Sequence, residues 1–287
     1  MVLETLSNAY EAEKNPKKIF VHGFIYGLIG LLLALWTFPA YASIVAIFFT
    51  SIAAVPLLYA IIKEEEDKDY HERDEKILLK EHSKAIHAYL MLFLGVVVAQ
   101  VATYILLPEQ LLTTAFEAQI NTYQTINPYA EITGAATTSG EYFTKIFLNN
   151  LRVLILCVLF SFAYGAGAIF VLTWNASVIA VAIGNTLRTH AAEAAAIGGL
   201  AGTANYLGIT AHTFVLRYGI HGTLEIAGYI VAALAGGIIS VATIRKHYQT
   251  KEFEHIVMDS ADLILIAVAL LLLAAGIEAY ITPAFYL

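Results

Sequence analysis

Arg217, His221 and Glu225 are spaced i, i+4, i+8, so on a helix they form one stripe of ionisable side chains. They lie beside a run without Asp, Glu, Lys or Arg from Ile226 to Ile244. An imidazole and a carboxylate on one stripe suit a divalent cation such as Zn²⁺ or Mn²⁺, which makes His221 and Glu225 candidate metal ligands. They equally suit a proton or ion path, because histidine titrates near neutrality. The third option is a structural network in which Glu225 pairs with an arginine and the trio holds helices together. A His-x-x-x-Glu pair alone is short of the three or four ligands a metal site needs.

A second polar group, Asn149, Asn150 and Arg152, opens another apolar run. Two amides and a guanidinium there can line a vestibule or pair with Glu225, while Arg152 near a helix end can also snorkel to headgroups. The expectation is that Arg152 or Asn149 stands across from His221 and Glu225. Asn175 and Asn185 suit interhelical hydrogen bonds. His212 is an additional candidate ligand, but on a continuous helix it faces away from His221. Glu278 reads as interfacial. Gly228, Ala232, Gly236 and Ser240 continue at i+4 spacing as a stripe of small residues, suited to close helix packing within the chain or in a homodimer.

These residues need helices to carry them through lipid. The 287 residues are 59% hydrophobic and 14% charged, against roughly 25% charged in a soluble domain. Charged residues are absent from Phe20 to Ile62, Ala85 to Pro108, Val153 to Leu187, Ile226 to Ile244 and Leu263 to Ile277. A crossing takes about 20 apolar residues, and helices satisfy their own backbone groups in hydrocarbon. The chain therefore reads as an all-α, polytopic transmembrane bundle of about seven crossings in the cell membrane, one membrane domain over 1–287.

Phe20–Phe38 and Ala42–Ile62 form a hairpin, with Trp36, Phe38 and Tyr41 as an aromatic belt at its turn. Residues 63–84 read as a charged, solvated cytoplasmic helix. Ala85–Leu107 crosses next. Residues 108–141 form an external segment whose helix carries Leu112, Phe116, Ile120 and Tyr123 on one face, as in a helix lying on the membrane surface. Thr138 and Glu141 have capping-box spacing, so the fourth crossing starts near Ser139. The glycine-rich stretch 174–212 is read as one crossing made by a broken or re-entrant helix. The sixth crossing ends at Ile244 and the seventh occupies Leu263 to Tyr280.

Lys14, Lys17 and Lys18, six basic residues between Lys63 and Lys84, and Arg245, Lys246 and Lys251 make twelve of the sixteen Lys and Arg. With seven crossings they share one side, which the positive-inside rule makes cytoplasmic. The N-terminus is then inside and the C-terminus outside. No cleavage site of small residues follows the first apolar run, so no removable signal peptide is expected.

The run Phe147-Leu-Asn-Asn-Leu-Arg152 with Asn175, and the later run Gly219-Ile-His-Gly-Thr-Leu-Glu225-Ile-Ala leading to Gly236-Gly237, resemble the stage II sporulation protein M family. The resemblance covers about 142–244. It implies a polytopic membrane protein in which Asn149, Asn150, Arg152, Asn175, His221 and Glu225 share one intramembrane site. In spore formers the family member acts in engulfment with cell-wall hydrolases, a role not transferred here.

Three functions follow. An ion channel or transporter, with divalent cations as candidate cargo, would use the polar set. A scaffold would recruit a cytoplasmic or membrane protein partner through 63–84. An intramembrane metal-dependent hydrolase is disfavoured, since neither His-Glu-x-x-His nor Gly-x-Ser-x-Gly occurs. No cofactor fingerprint is present apart from the candidate cation site, and a net charge of −7 argues against nucleic acid. The single cysteine, Cys157, excludes an intrachain disulfide.

Overall fold

The structure, a computed structural model, describes residues 15–72, 74–126, 139–212 and 219–285. Seven helices among them are long and apolar enough to cross a membrane. The elements are α1 (Pro16–Thr37), α2 (Ala42–His71), α3 (Glu75–Leu106), α4 (Glu109–Ile126), α5 (Ser139–Tyr164), α6 (Ala168–Ile197), α7 (Gly199–His212), α8 (Ile220–Ile244) and α9 (Glu252–Gly276). A π turn over Ile277–Ile281 continues α9.

The helix α1 starts with proline in its first turn, where the missing N–H costs nothing. It lies against α3 in backbone contact. A Cβ on Gly23 would collide with the Leu92 carbonyl, and one on Gly95 with the Phe20 carbonyl, so these two glycines set the closeness of the pair. Trp36, Phe38 and Tyr41 are exposed at the α1–α2 turn, as a belt at the lipid boundary requires.

The helix α2 is 30 residues long, about 45 Å at 1.5 Å per residue, so it outruns the hydrocarbon core of about 30 Å. Its last turns project beyond the apolar run, as do the first turns of α3. The stretch 63–84 is thus two antiparallel helix extensions rather than one solvated helix. Helix α2 ends at His71 and α3 starts at Glu75, where the Asp74 side chain accepts from the backbone N–H groups of Lys76 and Ile77. Nor are the extensions wholly solvated, because Glu65, Glu66, Asp69 and His82 are buried between them and their neighbours.

The apolar face of α4 meets protein. Leu112, Ala115 and Phe116 are buried with Leu31, Ala34, Ala46, Tyr104 and Val181, and Ile120 and Tyr123 pack on the same cluster. The Gln119 side-chain amide donates to the Ser43 carbonyl at 2.9 Å. The amphipathic pattern therefore marks a clasp on the bundle, not a helix floating on lipid.

The glycine-rich stretch resolves into one crossing and a return. Helix α6 runs unbroken for 30 residues through Arg188, His190 and Glu193. Arg188 satisfies itself on the carbonyls of Tyr104 and Leu107, each at 3.1 Å, and on Glu109 at 2.9 Å. The break comes at Gly198 and Gly199, both with positive φ (74° and 59°), a conformation glycine adopts without steric cost. Then α7 folds back on α6, where a Cβ on Gly202 would strike the Ala194 carbonyl.

The most deeply buried crossing is α8. It is wrapped by α5 and α9 and also touches α2 and α3. The small-residue stripe explains how. Gly228 faces Leu271 and the Ala267 carbonyl on α9, Gly236 faces Val158 and Ser161 on α5, and Ala232 and Ser240 are buried. Of the two uses open to that stripe, packing within the chain is the one seen.

Candidate intramembrane carboxylate site

The site is built where α5, α8 and the end of α9 meet. Glu225 accepts a hydrogen bond from the Asn150 side-chain amide. The Tyr229 hydroxyl donates to the Asn150 carbonyl oxygen at 3.0 Å. The donors therefore run in one sense, Tyr229 to Asn150 to Glu225, and converge on a carboxylate. Asn150 and Tyr229 are 6% and 3% exposed, so water does not compete for these bonds. Tyr229 is one turn beyond Glu225 and extends the His221–Glu225 stripe to i+8.

A second carboxylate enters from the π turn after α9. Glu278 is half-buried and acts electrostatically on both Glu225 and Tyr229. Two acidic groups thus share one apolar corner of the bundle. The groups that act on Glu225 among the described residues are Glu278 and the neutral amide of Asn150.

Other expected members fall elsewhere. Asn150, rather than Asn149 or Arg152, stands across from Glu225. Asn149 and Arg152 are exposed, because one and two residues along a helix turn a side chain about 100° and 200° away. Asn175 donates to the Val171 carbonyl of its own helix at 2.8 Å. Asn185 and His212 are exposed. His221 is 8% exposed, and its Nδ1 has no hydrogen-bond partner among protein groups. Arg217 lies outside the described residues. No group of three His, Cys, Asp or Glu able to hold a metal ion occurs among the described residues. His221 and Glu225 alone therefore fall short of a divalent ligand set.

Tyr229 and Glu278 are the residues that sequence reasoning missed. Tyr229 was legible as the next step of the i+4 stripe. Glu278 offered its charge at the end of an apolar run and its i+4 spacing from Ala274, which continues the buried stripe of Ala267 and Leu271.

A second polar cluster lies at the opposite end of α8, beyond the apolar runs. His82 lies 2.7 Å from Glu65 through Nδ1 and 3.1 Å from Asp69 through Nε2. Burial disfavours its charged form, but the two carboxylates outweigh that and raise its pKa to about 9. Arg245 and His247 each approach Glu66 to 2.6 Å, joining the end of α8 to α2. This cluster fastens helix ends.

Comparison with known proteins adds one positive finding. The family model for stage II sporulation protein M matches residues 88–283, which includes all of α5 to α9 and most of α3. The match reaches well beyond 142–244 on both sides. No curated protein and no solved structure matches the chain significantly.

Proposed function

This chain belongs to the stage II sporulation protein M family, and we propose that it transports a proton or small cation through the Glu225–Glu278 site. The observation that carries the reading is the Glu225 carboxylate, held by the neutral partners Asn150 and Tyr229, with a second acidic side chain, Glu278, within electrostatic reach. Each charged carboxylate in a membrane helix costs roughly 2.5–3.5 kcal/mol on insertion scales. Two together add mutual repulsion, so the arrangement persists by holding a compensating proton or cation. A site that must hold a cation, placed near one end of the spanning helices, is suited to taking one up and releasing it. His221, one turn from Glu225 on the same helix, is a candidate gate or extra ligand.

The experiment is flux into liposomes containing the purified protein, under imposed pH, ion and voltage gradients. Proton, monovalent and divalent movements are read separately, beside empty vesicles. Flux that vanishes in Glu225→Gln and in Glu278→Gln, with both variants folded, supports the reading. Divalent flux that also vanishes in His221→Ala makes the cargo a metal ion. No flux of any of these ions in the unmodified protein overturns it.

A second reading, a scaffold docking a partner protein, is favoured by the α2–α3 extensions. Buried ion pairs hold them, while Lys63, Asp67, Ile77 and Leu79 are exposed on their surface. Partner binding that survives Glu225→Gln and His221→Ala would support it over transport.

A further inference from the structure

We propose that a cavity between α2, α3 and α6 binds one water molecule, hydrogen-bonded between the hydroxyls of Tyr89 and Thr173. Both residues line the cavity, with Leu58, Leu92, Phe93 and Ile169 among its otherwise apolar walls. Tyr89 is 4% exposed and Thr173 2%, and neither hydroxyl has a partner among protein groups. They therefore do not bond each other.

The Thr173 hydroxyl is set unusually for its place in a helix. A helical threonine ordinarily turns its hydroxyl back to the carbonyl four residues earlier. Thr50, Thr103, Thr186 and Thr243 all do so here. Thr173 does not bond the Ile169 carbonyl. Its hydroxyl is left without that local bond, on a residue that lines the cavity together with Tyr89, whose hydroxyl is also unpartnered.

Size and chemistry select the guest. The space open to the centre of a water molecule is ≈ 10 Å³, which matches the lower limit of about 10–15 Å³ for one water. An apolar guest would leave both hydroxyls unsatisfied, at about 1–3 kcal/mol each. A water can accept from one hydroxyl and donate to the other, tying α3 to α6 within the apolar part of the bundle. The site is at the opposite end of the bundle from Glu225 and does not depend on the transport reading.

The test is infrared spectroscopy of the lipid-embedded protein in D₂O against D₂¹⁸O, together with an experimental map of the unmodified protein. The expected result is an O–D stretch that shifts with ¹⁸O and is lost in both Tyr89→Phe and Thr173→Val. Thr173→Ser retains it. The map should show a peak about 2.8 Å from each hydroxyl oxygen, a check that needs no variant to fold. A map with that position empty, or an ¹⁸O-sensitive spectrum unchanged in folded Tyr89→Phe and Thr173→Val, overturns the proposal.

Discussion

Asn150 on α5 donates its side-chain amide to Glu225 on α8, joining two residues 75 positions apart in the chain. Tyr229 holds the other end of that amide, so the three residues form one unit. Asn150→Leu removes the donor to Glu225 and leaves the Tyr229 hydroxyl without its acceptor. The expected cost is about 1–3 kcal/mol for each buried group left unpaired. Reversible unfolding in lipid or detergent measures it. A Tyr229→Phe, Asn150→Leu double variant should cost less than the sum of the singles, because both act on one network. Strict additivity would count against the unit.

The α1–α3 crossing makes a sharper steric prediction. Gly95→Ala places a methyl against the Phe20 carbonyl and the Phe24 backbone, neither of which can rotate away. Overpacking of this kind costs about 1–3 kcal/mol or more. Gly208→Ala, where a methyl meets nothing within 4 Å, should be neutral or slightly stabilising. Thermal midpoints of the two variants compare them directly, and equal midpoints would refute the backbone contact.

The His82 cluster predicts a pH dependence with a definite sign. Its raised folded-state pKa means that the stabilisation is fully present below about 6.5 and is lost as pH rises through about 9. Glu65 and Asp69 hold the imidazolium, while Lys68, Glu81 and His255 lie around those carboxylates. Hydrogen exchange over 65–84, corrected for intrinsic rates, should show protection falling across that window. His82→Gln should flatten the dependence. Protection that rises with pH in the unmodified protein would be the wrong sign.

The orientation expected from the positive-inside rule is open to direct labelling. We expect Lys80→Cys to react with a membrane-impermeant maleimide only after permeabilisation, and Glu117→Cys to react in intact cells. Both positions are exposed, and the native Cys157 is fully buried, which keeps background low. The reverse pattern would place the N-terminus outside.

The sequence by itself determined the elements that the bilayer dictates. Apolar runs free of charge became helices, and the glycine break before α7 and the small-residue seam on α8 were readable from local chemistry, while Thr138 of the expected capping box lies outside the described residues. Each depends on residues near one another in the chain. The charged hairpin was legible as helical, but its division into two helices and its buried Glu65, Glu66, Asp69 and His82 were not, because their burial comes from contact between separate helices. The amphipathic face of α4 likewise could not say whether lipid or protein would cover it. The choice of Asn150 over Asn149 and Arg152 required the rotation of α5 about its own axis against α8. Glu278 joined the site through the contact of the turn after α9 with α8, which depends on how the two helices pair. Tertiary structure decided these points because helical phase and long-range contact are properties of a pair of helices, and periodicity constrains one helix at a time.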